Sequence, residues 1–192
     1  MTKKEMGPRH FLYPQPAALI GANVNGKPNY LVAAWCGVMQ ATPALVYVAI
    51  RKVRYTLKGI EENGTYSINV PSADMVVETD YCGTVSGRDT DKSKVFTTFY
   101  GKLGTAPMVE ECPTNMECRV KDILDFGGTH KIIIGEIAES YVNEDILDGD
   151  EPDVKKIDPI IYSTGGGYWR FGERIGDAFS MGGRYKAKQQ EE

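Results

Sequence analysis

Short apolar runs alternate with turn residues along most of the chain. The runs at residues 17–24, 29–35 and 44–51 are typical of buried strands, because they are dense in aliphatic and aromatic side chains. Asn25 and Gly26 separate the first two runs, and both residues tolerate the positive φ of a tight hairpin turn. The pattern therefore predicts a β-hairpin followed by a third strand.

Two segments have the spacing of helices. Residues 55–62 predict a short helix that stops at the following Asn-Gly pair. Residues 72–81 predict a second helix, with Ser72 as its N-cap and Gly83 as its stop.

The other predicted elements are again strands joined by turns. They are a strand at 65–70, a strand pair at 116–124 and 130–141, and a last strand at 160–162. Residues 84–91 and 143–153 are polar and are expected to be loops, and residues 186–192 a frayed tail. Because the strands are short and outnumber the helices, we expect a mainly β fold, a barrel with a few short helices.

Length and charge narrow the class of protein. The 192 residues suit a single domain, 1–192, with a sizeable core. The net charge of −4 disfavours a general nucleic-acid binder, which would normally be basic. No stretch approaches the roughly 18 apolar residues of a membrane span, and the polar start lacks the apolar region of a secretory signal. We therefore expect a cytoplasmic protein that binds neither nucleic acid nor membrane.

Familiar catalytic and metal-binding motifs are missing from the sequence. It has no GxGxxG opening a helix, no P-loop, no HExxH and no GxSxG. With two histidines and no CxxC pair, no metal site is predicted, and the four cysteines are expected to be buried or partly buried free thiols. A hydrolase using His130 would lack a nucleophile in a recognisable elbow.

Two cationic segments are candidates for phosphate binding. Residues 51–56 (RKVRYT) end a strand and begin a helix, where free N–H groups and arginine side chains suit an anion. Residues 86–92 (SGRDTDK) offer a hydroxyl, a close backbone approach at Gly87 and a cation. Taken alone, each segment is read more readily as a solvated surface turn than as a phosphate site.

The order of short motifs resembles the flavin-reductase-like FMN-binding split-barrel family, and most closely its flavoredoxin-like branch. The motifs are, in order, G-x-P-N ending at Asn29, AAW at 33–35, P-x-x-V-x-V-A-I-R ending at Arg51, R-x-T at 54–56, N-V-P at 69–71 and C-G-x-x-S-G-R-x-x-D-K at 82–92. Weaker matches at 117–119, His130 and 134–136 extend the resemblance over most of the chain.

The resemblance implies a split β-barrel that dimerises and binds FMN near the subunit interface. The residues implied to line the flavin ring are Asn29, Ala33, Ala34, Trp35 and Cys36. Those implied at the phosphate and ribityl chain are Arg51, Arg54, Thr56, Ser86, Gly87 and Lys92. His130 is implied near the flavin, and Tyr168, Trp169 or Phe171 as its cover. Without the family, Trp35 reads as a core tryptophan.

The implied function is an oxidoreductase that passes electrons from NAD(P)H through FMN to free flavin, ferric iron or an electron-transfer protein. The flavin would carry the electron chemistry, so no protein side chain is predicted to be catalytic. One alternative is a non-enzymatic FMN carrier reduced by a partner protein. Another is an FMN- or haem-binding barrel with a sensing role.

Overall fold

The computed structural model describes residues 1–183 and 185, so the predicted frayed tail at 186–192 lies outside the described residues. Its strands are β1 (Gln15–Pro16), β2 (Ala18–Val24), β3 (Lys27–Ala33), β4 (Cys36–Gln40), β5 (Leu45–Arg51), β6 (Thr65–Val70), β7 (Thr98–Phe99), β8 (Met108–Val109), β9 (Thr114–Leu124), β10 (His130–Val142), β11 (Leu147–Asp148), β12 (Glu151–Pro152), β13 (Ile161–Ser163) and β14 (Gly167–Trp169). Its α-helices are α1 (Tyr55–Asn63), α2 (Val76–Thr84) and α3 (Val154–Ile157). None of these helices is long and apolar enough to cross a membrane.

One seven-stranded antiparallel sheet forms the barrel. Its strand order is β3-β2-β6-β9-β10-β5-β4, so β3 and β4 lie at opposite edges. These two edge strands are consecutive in the chain and are joined by only Ala34 and Trp35. The sheet must therefore curl until its two edges approach each other at this link, although β3 and β4 are not hydrogen-bonded neighbours. The Ala49 N–H donates to the Trp35 carbonyl at 2.8 Å, which extends the β4–β5 pairing into the link. The predicted mainly β barrel with a few short helices is confirmed.

Local sequence signals fix several of the element ends. Asn25 and Gly26 have φ of 50° and 76°, which gives the tight β2–β3 hairpin that the Asn-Gly pair predicted. Helix α1 ends at Gly64, whose φ of 65° allows its N–H to donate to the Ile60 carbonyl at 2.9 Å. These predictions are confirmed.

The barrel interior is filled by side chains from the sheet and from α1. The buried cluster consists of Ala18, Ile20, Ala22, Leu31, Ala33, Val46, Val48, Ile50, Leu57, Ile60, Tyr66, Ile68, Cys118 and Ile133. Helix α1 packs closely on β2, because a Cβ at Gly59 would overlap the Asn23 carbonyl oxygen. This contact holds α1 against β2, the neighbour of β3 in the sheet.

Three elements differ from the predictions. The edge strand β4 was not predicted, since its outer residues Val38 and Met39 are exposed and it lacks polar alternation. The second helix starts with a 3₁₀ turn at Ala73–Met75 and runs through Gly83 to Thr84. Ser72 occupies the N-cap position of this 3₁₀ turn as predicted, but its side chain makes no capping hydrogen bond, and its backbone forms an isolated β-bridge to Pro159.

The acidic segment at 143–153 is also more ordered than a solvated loop. It contains a 3₁₀ turn at Glu144–Ile146 and the small β11–β12 hairpin. The buried side chain of Ile146 anchors this segment to the rest of the protein.

A buried carboxylate fixes the loop that precedes β8. Glu117 is fully buried on β9, and its two oxygens accept the backbone N–H groups of Lys102 and Leu103, each at 2.8 Å. The Tyr141 hydroxyl also donates to Glu117, at 3.0 Å. A buried carboxylate is stable only when its oxygens are hydrogen-bonded in this way.

We predict that Glu117→Ala lowers the free energy of unfolding by about 3 kcal/mol, because three buried or partly buried donors lose their acceptor. Urea unfolding followed by circular dichroism measures the change. Glu139→Gln is the matched control, since Glu139 forms an exposed ion pair with Lys102 on the same loop, and we expect a change below about 1 kcal/mol. Equal losses in the two variants would contradict the assignment of Glu117 as the anchor.

Candidate functional site

A cleft of about 510 Å³ lies at the barrel seam, where β3, β5 and β10 have their ends. Its walls also include the C-terminal end of α2 and the β13–β14 hairpin. The lining residues are His10, Leu31, Val32, Ala33, Ala34, Trp35, Ala49, Ile50, Arg51, Arg54, Asp80, Gly83, Thr84, His130, Tyr162, Thr164, Gly166 and Tyr168. The volume is in the range of sites for small organic ligands, roughly 300–1,000 Å³.

A second cleft of about 450 Å³ continues from the first. The two share Leu31, Arg51, Arg54, Gly83 and Thr84. The second is the more polar, and it contains the predicted site residues Asn29, Thr56, Ser86, Gly87 and Lys92. The structure thus brings both cationic segments of the sequence together at one end of a continuous groove.

The N-terminus of α1 points into this polar end. Arg54 is its N-cap residue, no side chain caps the helix and its first turn has no acidic residue. Free N–H groups and the positive end of the helix dipole favour an anion there. The Arg54 guanidinium lies beside this end, where it donates to the Gly83 carbonyl at 3.0 Å. Arg51 is exposed on the rim of both clefts.

The floor of the polar cleft is formed by a buried side-chain pair. The Asn29 amide donates to the Thr56 hydroxyl at 2.6 Å, and both residues are buried. Gly87 passes so close to this pair that a Cβ there would overlap the Asn29 side-chain oxygen. The glycine therefore allows the 85–91 loop to approach the floor of the cleft.

Lys92 has a structural role at this site. Its ammonium is buried and donates to the carbonyls of Tyr30, at 3.0 Å, and Cys82, at 2.7 Å. Burial lowers its pKa, because removal from water disfavours the charged form. A lysine has three donors, so one N–H remains after it has tied β3 to α2.

Three aromatic rings stand together at the first cleft. The Trp35 indole lies 4.7 Å from the His130 ring, with their planes tilted by 37°, and 4.9 Å from the His10 ring in an edge contact. The His130 Nδ1 and the Thr129 hydroxyl are 2.8 Å apart. Burial, with a smaller contribution from the Arg51 charge, lowers the pKa of His130. A neutral imidazole is therefore favoured beside the cleft at neutral pH.

One of the three aromatic residues predicted to cover the flavin, Tyr168, lines the C-terminal wall of the cleft. Tyr168 lines the cleft and donates its hydroxyl to Asp80 at 2.8 Å. Burial, and then the Asp80 carboxylate, raises the pKa of Tyr168 to about 12. Trp169 and Phe171 are 64% and 43% exposed and are not among the residues that line the cleft. Neighbouring strand residues face opposite sides, so Tyr168 and Trp169 cannot both face it.

Cys36 is not among the residues that line the first cleft. It packs against the barrel core, and its thiol lies 3.8 Å from the Ala33 carbonyl. Burial raises its pKa to about 11, which leaves the thiol protonated at neutral pH. The four cysteines are free thiols, three of them buried. Within the described residues, no group of three or more His, Cys, Asp or Glu side chains could hold a metal ion.

Sequence reasoning missed several lining residues. His10 precedes the first strand and has no surrounding motif, so only the tertiary structure places it at the cleft. Asp80 lies on α2, which was predicted without a role for its polar face. Tyr162 and Thr164 lie just before the glycine triplet at 165–167, and that aromatic–glycine pattern was the available signal.

Comparison with known proteins identifies the family of this barrel. The family described as the flavin reductase like domain matches residues 9–168, and the chain therefore belongs to it. The fold is similar to that of flavoredoxin from Methanosarcina acetivorans, with a TM-score of 0.93 and 42% identity over 96% of this chain and 100% of that one. The predicted resemblance is confirmed.

Two further relatives match most of the chain. Flavoredoxin of Desulfovibrio vulgaris (Miyazaki F) is 35% identical, with a TM-score of 0.87, over 94% of this chain and 100% of that one. The FMN reductase (NADH) RutF of Agrobacterium fabrum is 28% identical over 152 residues, which are 74% of this chain and 84% of that protein.

Proposed function

We propose that the chain binds FMN in the groove and transfers electrons from NAD(P)H, through the flavin, to a second acceptor. The observation that carries this proposal is the groove itself. The first cleft has aromatic and aliphatic walls, and the polar cleft has three arginines and an uncapped helix N-terminus. A ligand with a flat apolar ring at one end and a phosphate at the other matches the apolar and cationic parts of this groove.

The residues of the groove fit FMN in chemistry as well as in size. Ala33, Ala34 and Trp35 offer apolar contacts to a ring, and His130 stands beside them. Arg51, Arg54, Thr56, Ser86, Gly87 and the remaining N–H of Lys92 would hold the phosphate and the ribityl chain. Because Gly87 has no Cβ, the 85–91 loop packs directly against Asn29 and brings its backbone to the same cleft.

One compact cationic end favours FMN over a dinucleotide flavin. The names of the two flavoredoxins and of the FMN reductase among the relatives support a flavin ligand for this chain. We propose that Tyr168, which lines the cleft, contacts the flavin ring. We also propose that Cys36, Trp169 and Phe171 make no direct contact with the ring, because they do not line the cleft.

A bound flavin supplies the uptake and release of two electrons. The protein's residues bind and orient the ligand, and the arginines balance the charge of its phosphate. The protonated Cys36 thiol and the absence of a CxxC partner argue against a redox thiol. We therefore propose no catalytic side chain.

The second candidate is an electron carrier that holds FMN and is reduced by a partner protein instead of NAD(P)H. The similarity to two flavoredoxins favours it. Both candidates share the same groove and ligand, so they differ only in the electron donor. We propose the cytoplasm as the location for either one.

Anaerobic stopped-flow absorbance tests the first candidate. We expect the purified protein to hold FMN near equimolar ratio and NADH or NADPH to bleach its flavin band. Cys36→Ser should keep at least about a tenth of the rate, a loss below roughly 1.4 kcal/mol in the barrier. Bound FMN that neither nicotinamide bleaches would favour the carrier. Failure to bind FMN after reconstitution would contradict both candidates.

Substitution of the arginines tests the phosphate site. Arg51→Ala and Arg54→Ala should each weaken FMN binding by about tenfold to a hundredfold, because each removes a charged hydrogen-bond partner. Riboflavin lacks the phosphate, so its affinity should change far less; fluorescence titration measures both. Lys52→Ala is the control, since Lys52 lies between the arginines but pairs with Asp125 at 2.8 Å. Equal binding of riboflavin and FMN by the unsubstituted protein would refute the phosphate site.

We also propose a homodimer formed in part through the outer edge of the barrel. Strand β4 is an edge strand, and Val38 and Met39 are 80% and 50% exposed on it. An apolar, unpaired strand edge is a surface that proteins normally cover.

Sedimentation equilibrium at micromolar concentration should give twice the 21.2 kDa chain mass. Val38→Lys should shift the protein toward monomer, because it places a charge in the covered edge. Val77→Lys is a matched control, as Val77 is 72% exposed on α2, away from this edge. A monomer that binds FMN tightly would rule out the dimer as a requirement of the site.

A further inference from the structure

The N-terminal segment, residues 1–14, reaches the first cleft although none of its residues is buried. His10 lines the cleft and contacts Trp35 in a T-shaped arrangement, with ring centroids 4.9 Å apart. Tyr13 forms a hydrogen bond through its hydroxyl to that of Thr164, which also lines the cleft, between β13 and β14. The segment therefore contacts two separate parts of the cleft lining, at Trp35 and at Thr164.

Within residues 1–183 and 185, the segment makes one ring contact, that of His10, and one hydrogen bond, that of Tyr13. It forms no ion pair with these residues. Its C-terminal end is firmly held, because Gln15 is buried and pairs with Tyr162 in the β1–β13 ladder. A segment with one anchored end and two exposed contacts has low local stability and opens readily.

We propose that residues 1–14 form a flap over the cleft, with His10 and Tyr13 as the contacts that hold it closed. The anchor at Gln15 sits next to the cleft wall, so the flap can open without moving the barrel. Closure would retain the ligand in the cleft. The ligand's identity rests on the proposed function, whereas the flap's closure does not.

Fluorescence of Trp35 tests closure without any ligand. Trp169 is the only other tryptophan in the sequence, so a Trp169→Phe parent reports Trp35 alone. In this parent, His10→Ala and Tyr13→Phe should each raise quenching of Trp35 by acrylamide by about twofold or more, because each opens the flap. Lys4→Ala is the control, since Lys4 belongs to the same exposed segment and has no side-chain partner among the described residues.

Release of FMN, followed by stopped-flow fluorescence, tests retention. With Trp169 restored, Tyr13→Phe should speed FMN release about fivefold, the effect of losing one neutral hydrogen bond, while Lys4→Ala leaves it unchanged. Unchanged Trp35 quenching in both flap variants would overturn the proposal, and so would increased quenching without faster release. If FMN does not bind at all, the proposed function fails, and the quenching result alone decides whether the flap exists.

Discussion

The two-residue link between β3 and β4 is the constraint on which the site depends. Because Ala34 and Trp35 must connect opposite edges of a seven-stranded sheet, the sheet can only be a barrel, and its seam falls at these residues. The same closure brings the ends of β3, β5 and β10 to one place. The aromatic part of the groove is thus a direct product of how the barrel closes.

The polar part of the groove depends on a second constraint, the buried ammonium of Lys92. A lysine is seldom fully buried, and here the carbonyls of Tyr30 and Cys82 replace its water. These bonds join β3, α2 and the start of the segment after the 85–91 loop. The loop that carries Ser86 and Gly87 is therefore held at a fixed distance from the N-terminus of α1. The buried ammonium of Lys92 therefore contributes to both the shape and the polarity of the site.

Much of the fold could be predicted because its signals are local. Asn25-Gly26 and Gly64 set their turns by backbone preference, and the apolar runs were dense enough to mark β2, β3 and β5. The missed strand β4 has two exposed apolar residues, so no alternation marks it.

The residues of the candidate site could be predicted only where they belong to the ordered series of short motifs. Which of Tyr168 and Trp169 faces the cleft depends on the β13–β14 register, in which Tyr162 pairs with Tyr168. The side on which Cys36 lies depends on barrel closure, and the position of His10 depends on a long-range contact with Trp35. None of these is encoded within a short stretch of sequence.

The anchor at Glu117 has a consequence for how this chain can vary. Its acceptor oxygens hold the backbone of residues 102 and 103 and not their side chains. Every amino acid except proline carries that N–H donor, so positions 102 and 103 can change while the path of the loop stays the same. Gly101 cannot, because a Cβ there would overlap the Tyr141 hydroxyl. The surface at these two positions is therefore open to redesign or to divergence among relatives, provided that Glu117 and Gly101 are kept.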